Sequence, residues 1–184
     1  MQMRPEIQIQ SILKAMADVV LPALDPQNPL AQEQARLCMG LLGVMASGLP
    51  LQYRYDCDEL GRLLALSRRL QQLPEVAQLV PQALGVLSQR AQRADDVLAR
   101  ARAEPAEVLH AVRALREATG DLVQEAFEQD LTGRKTGELQ RAVLDASQEQ
   151  LLRERSWALG QGWESDPRAI AAIDTLIAPV GKAA

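Results

Sequence analysis

From Pro5 onward, apolar residues return at Ile9, Ile12, Leu13, Met16, Val19 and Val20, while Gln10, Ser11, Lys14 and Asp18 fill the intervening positions. That is the i, i+3, i+4, i+7 spacing of one helical face, and Pro5 suits a first helical position because its missing N–H would be unpaired there anyway. The run PALDPQNPL ends this helix. Asn28 followed by Pro29 is a cap-and-first-turn pair for a second helix, expected to reach about Ser47 and to be closed by Gly48 and Pro50. A short link, LQYRY, leads to Asp56 as the cap of a third helix through about Leu73. Pro74 opens a fourth segment to about Ala103, which Pro81 kinks or divides. Pro105 begins a fifth helix to about Gln129, and DLTGRKTGE is a loop by composition. A sixth helix covers about 138–159, and GQGWESDP breaks it. Ser165 or Asp166, with Pro167, then starts a last short helix through about Ala178. No internal repeat and no convincing strand pattern occurs. The expected fold class is all-α, a bundle of about six or seven helices in one domain spanning 1–184. The last short helix, about 166–178, would be packed on as an appendage.

The second helix sets the main question. Residues 37–51, LCMGLLGVMASGLPL, carry no charge between Arg36 and Arg54. Fifteen residues fall short of the about 20 needed to span a membrane, and three glycines and a proline interrupt them. At 100° per residue, Leu30, Leu37, Cys38, Leu41, Val44 and Met45 fall on one side, with Gln34 among them. Met39, Leu42, Gly43 and Ala46 fall on the other, with Gly40 on the shoulder. A helix apolar all round is buried all round. The second helix is therefore expected to be central and fully buried, with Gly40 and Gly43 letting one neighbour's backbone come close. That neighbour is either another helix of the chain or a second subunit.

Composition narrows the class further. Aromatic residues make up 3% of the chain, so a core must come from Leu, Val, Ile, Ala and Met, which suits helices. Net charge is −4, from 24 acids against 20 bases, and lysine occurs only at Lys14, Lys135 and Lys182. The bases are interleaved with acids at helical spacing rather than gathered in a stripe, which argues against a nucleic-acid partner. Arg-over-Lys, Ala-rich usage points to a bacterial source. Cys38 and Cys57 are too few for a disulfide framework, and both lie in apolar or helical context, where a reduced Cys acts as a small hydrophobe. The N-terminus lacks the basic start and apolar run of a signal peptide, so a cytoplasmic location, with no membrane, is the expectation.

Candidate chemistry is sparse. Glu107 and His110 have the Glu-x-x-His spacing of di-iron bundles. However, the apolar face of that helix is Val108, Val112, Leu115, Thr119, Leu122, Val123 and Ala126, which turns both residues to solvent, so no metal site is expected. Arg134 and Lys135, within GRKTG, could help hold an anion at a helix start, although no phosphate-loop motif is matched and a plain polar connection is the simpler reading. With one histidine and no strand–turn–helix nucleophile motif, no catalytic residue is expected. Asp56, Asp58 and Glu59 are explained as acids at a helix start, where the helix dipole favours them. Trp157 and Trp163, the only tryptophans, could anchor a partner or pin the last short helix to the bundle. Gln34, Met39 and Gly43 complete the residues expected to contact a ligand or partner.

Arg4-Pro5, Ile12-Leu13, the run Val19-Val20-Leu21-Pro22-Ala23-Leu24 and the Ala/Leu-rich second helix carry a resemblance over residues 4–46. That segment resembles an uncharacterised bacterial helical family encoded beside aminoglycoside-phosphotransferase-like kinases and acyl-CoA dehydrogenases. The resemblance implies a helical accessory protein near acyl-CoA metabolism and brings no catalytic residues. The expected role is thus a non-catalytic interaction or accessory protein without a cofactor, with a protein partner or a second copy of itself. The alternative is a small-molecule pocket between helices, enzymatic in its fullest form, lined by Met16, Met39 and Met45 with Gln34 pointing in.

Overall fold

The computed structural model describes residues 4–100, 102–130 and 136–179. Among these the chain is all-α, with seven α-helices of six residues or more and no strand. They are α1 (Pro5–Ala15), α2 (Pro29–Gly48), α3 (Gln52–Gln71), α4 (Pro74–Leu79), α5 (Pro81–Ala99), α6 (Pro105–Gln129) and α7 (Gly137–Trp157). A four-residue helix, α8 (Ile173–Leu176), follows.

Prolines open five of these helices at a first-turn position, as the sequence leads one to expect. The Asn28 side-chain oxygen accepts the Ala31 N–H at 3.1 Å, capping α2. Pro81 is a boundary rather than a kink, because Val80, at φ −137° and ψ 57°, leaves the helix between α4 and α5. Two boundaries differ from expectation. Gly48 and Leu49 keep helical dihedrals, and one 3₁₀ turn, Leu49–Leu51, joins α2 to α3 without an extended link. LQYRY is therefore helical from Gln52, and Asp56 is interior to α3 rather than its cap. The expected last helix over 166–178 is instead a 3₁₀ turn at Pro167–Ala169 and then α8; Asp166 caps the turn by accepting the Arg168 N–H at 3.2 Å.

α1 continues into a π turn, Met16–Val20, where the Leu21 N–H reaches back to the Met16 carbonyl. Pro22 explains this: it has no N–H for the Asp18 carbonyl and its ring crowds that carbonyl, so the helix widens. The wider turn breaks the apolar register. Ile9, Leu13 and Met16 are half-buried, while Val19 and Val20 are exposed.

The chain divides into two compact units, residues 1–52 with 152–176, and residues 53–151 with 177–184. The second contains the continuous hydrophobic core. Leu60, Leu64 and Leu70 of α3 join Val76, Val80, Leu87, Val108, Val112, Leu115, Leu122 and Leu139, each no more than 3% exposed. The inner face of α6 matches its predicted stripe at every position from Val108 to Ala126 except Thr119 and Val123, which are half-buried.

The first unit is different. α1 packs on α2, but among the described residues the only buried apolar ones there are Ala35 and Val44. The expectation that α2 is central and fully buried is therefore corrected. Ala31, Ala35, Met39, Leu42 and Ala46 turn inward, whereas on the neighbouring face Leu30, Leu37, Cys38, Leu41 and Met45 lie exposed and only Val44, expected among them, is buried. Apolar character on both faces of a helix shows that both can be covered, and on the second face this chain buries only Val44.

Candidate interaction surface

The uncovered side of α2 is a narrow stripe. Leu30, Leu37, Leu41 and Met45 are 66%, 40%, 51% and 56% exposed, with Gln34 and Cys38 exposed between them. Steps of four and three residues from Leu30 through Gln34 and Leu37 to Leu41 give the seam spacing with which one helix meets another. Among the described residues, eleven of the fifteen exposed large apolar side chains lie in the first unit, against its two buried ones. They include Ile7, Ile12, Val19 and Val20 on the N-terminal segment, Leu49, Leu152, and Trp163 at 71% exposure. The unit has a surplus of apolar surface and very little core.

The expected contact residues divide between the two sides. Gln34 is on the stripe; Met39 and Gly43 are half-buried on the inward side. A methyl group on Gly40 or Gly43 would meet nothing within 4 Å, so these glycines do not admit a close backbone. Gly48 instead admits a close side chain: a methyl there would lie 2.5 Å from Cζ2 of Trp157. Trp157 is half-buried against α2, whereas Trp163 stands in solvent and pins nothing. Of the three methionines expected around a pocket, Met16 and Met39 are half-buried and Met45 is exposed on the stripe.

The second unit holds a charged network that sequence reasoning passed over. Asp56, Asp58 and Glu59 are 6–7% exposed inside α3. Asp58 accepts from Arg62 Nε at 2.9 Å and from the Ala178 N–H at 2.9 Å, and Glu59 pairs with Arg116. Arg62 also donates to Glu149 at 2.7 Å. Burial works against the Arg62 charge, but its bonds to Asp58 and Glu149 outweigh that and hold its guanidinium above its ordinary value. Arg54 Nε donates to the Ala178 carbonyl at 2.8 Å and its Nη2 to the Ile177 carbonyl. Together Arg54 and Asp58 hold both the N–H and C=O sides of the chain at Ile177–Ala178, with the Ile177 side chain 2% exposed. The signal available in the sequence was the i, i+4 pair Asp58–Arg62, obscured by placing the helix start at Asp56.

The remaining sequence candidates are accounted for locally. Glu107 accepts the Glu104 N–H at 3.0 Å and pairs with Arg100 at 3.0 Å, and these bonds hold its carboxyl below the usual range. His110 is exposed. Among the described residues no three His, Cys, Asp or Glu side chains gather as a metal site. Arg134 and Lys135 lie outside the described residues; next to them in the chain, the buried Thr136 hydroxyl donates to Asp130 at 3.4 Å. Both cysteines are free, Cys38 exposed and Cys57 half-buried, and burial pushes the Cys57 thiol up. Among the described residues no helix is long and apolar enough to cross a membrane. No protein-family model, no curated protein and no solved structure matches the chain.

Proposed function

We propose that the protein is a non-catalytic helical interaction protein, in which the second unit is a self-sufficient core and the first presents α2 as a docking face for an apolar helix. The observation that carries this reading is the uneven apolar surface: among the described residues, the unit with two buried apolar side chains bears eleven of the fifteen exposed large ones. Contiguous apolar surface left in solvent marks an interaction site, and a uniformly spaced stripe selects a helix as its partner. The polar groups support the same reading, because Asp58 and Glu59, buried in α3, are engaged by arginines and by the chain at Ala178.

The test is the double substitution Leu37→Glu/Leu41→Glu, melted at a concentration where the chain is monomeric. A docking face tolerates the charges, with stability within about 0.5 kcal/mol of the parent, as surface positions do. A loss of several kcal/mol would place the two leucines inside the fold and end the reading.

A further inference from the structure

We infer that the face of α3 bearing Arg54 and Asp58 is a peptide-binding site, which the chain's own Ile177–Ala178 fills in cis and an extended segment of a partner protein takes in trans. The segment it accepts has a branched aliphatic residue followed by one with a free backbone N–H. The site lies wholly in the second unit and is independent of the α2 stripe. Recognition there falls on main-chain atoms. Asp58 accepts the Ala178 N–H at 2.9 Å, and Arg54 donates to the Ala178 carbonyl at 2.8 Å and to the Ile177 carbonyl. Four residues apart on one helix, the two side chains present an acceptor and a two-pronged donor side by side. The side chain enclosed along with these bonds is that of Ile177, 2% exposed, while Ala178 is half-buried and Pro179 exposed. Main-chain bonds that almost any sequence can make, with a pocket that selects one side chain, are the pattern by which extended peptides are recognised.

The site is built by α3 and α7, not by the segment that fills it. The second Asp58 oxygen accepts from Arg62 Nε at 2.9 Å, and Arg62 is held in turn by Glu149 of α7 at 2.7 Å. Leu60 and Leu64, on the same helix, belong to the core. Asp58 and Arg62 therefore keep their places when Ile177–Ala178 departs. That departure takes a donor from a carboxylate only 1% exposed, so the emptied site demands another backbone N–H. Buried charge is also an inefficient way to fasten a tail permanently: apolar packing of similar volume holds as well or better, whereas a charge requires a matching partner. The segment itself is slight. After the four-residue α8, Ile177 is the one enclosed side chain among the described residues. Segments with so few buried contacts open locally, well before the whole chain unfolds.

The experiment titrates the full chain into a fluorescein-labelled peptide, TLIAPV, copied from residues 175–180, and follows anisotropy. The parent, filled in cis, should bind the peptide about tenfold or more weakly than the full-length variant Ile177→Asp, whose own tail cannot bury a charge. The same peptide N-methylated at its alanine offers Asp58 no N–H and should lose about tenfold or more in affinity for that variant. A variant that binds neither peptide, a variant that binds both alike, or a parent that binds as tightly as the variant overturns the inference. Native-state hydrogen exchange on the parent tests it without any substitution. The Ala178 amide should exchange about a hundredfold or more faster than the amides of Leu115 and Leu122 in α6. An Ala178 amide as slow as those, or an Ile177→Asp chain that fails to fold, makes the segment a permanent part of the core and overturns the site.

Discussion

The Trp157 indole lies against the bare backbone of Gly48, close enough that a methyl group there would come within 2.5 Å of Cζ2. Gly48 has φ −79° and ψ −32°, which any residue can adopt, so it is the ring and not the backbone that requires glycine. Gly48→Ala would gain about 1 kcal/mol of helix propensity but lose about 1–3 kcal/mol by overpacking against a rigid ring. A net destabilisation of about 1 kcal/mol is expected in urea unfolding.

Gly40→Ala and Gly43→Ala should do the opposite. Nothing approaches within 4 Å of either added methyl, so each should stabilise α2 by about 0.5–1 kcal/mol in the same assay. Destabilisation at Gly43 would mean that a neighbour's backbone comes closer than the structure places it.

Asp58 gives a third expectation. Its carboxylate, 1% exposed, holds both Arg62 and the Ala178 N–H. Asp58→Ala leaves that N–H and one side of the guanidinium unpaired, at a cost of about 3 kcal/mol given that Arg62 retains Glu149 and partial hydration. Chemical denaturation reads the loss. Limited proteolysis should at the same time show earlier cleavage near Ile177.

A fourth concerns acid. Arg155 donates to both carboxylate oxygens of Glu164, at 2.8 and 2.7 Å, and this bond holds Glu164 below the usual carboxylate range. A carboxyl whose folded pKa lies below its unfolded value contributes stability above the unfolded pKa and loses it as pH falls through the folded one. Glu164→Gln should therefore flatten the acid limb of the stability–pH curve and leave its slope near neutrality unchanged. An unaltered acid limb would show that the pair contributes nothing to folding.

Much of the fold was legible because prolines and helical spacing are local signals. Pro29, Pro74, Pro81 and Pro105 each open a helix, and α6 buries its predicted stripe almost residue for residue. The misplacements arose where a long-range contact decides. Gly48 and Pro50 resemble a stop, yet the indole of Trp157, more than a hundred residues later, packs on the glycine of a chain that remains helical. That moved the start of α3 from Asp56 to Gln52 and concealed three buried acids as first-turn acids. Both faces of α2 were readable as apolar, but periodicity carries no information about which side the chain itself covers. The stripe was visible in the sequence; its exposure was not.

That exposure is the central claim, and the rate at which a disulfide reagent modifies Cys38, compared with Cys57 in the same chain, tests it most directly. At the lowest protein concentration, Cys38 should react promptly and Cys57 slowly, since burial raises the Cys57 thiol pKa. A Cys38 that reacts as slowly as Cys57 even at high dilution would contradict the account, because α2 would then be enclosed within its own chain.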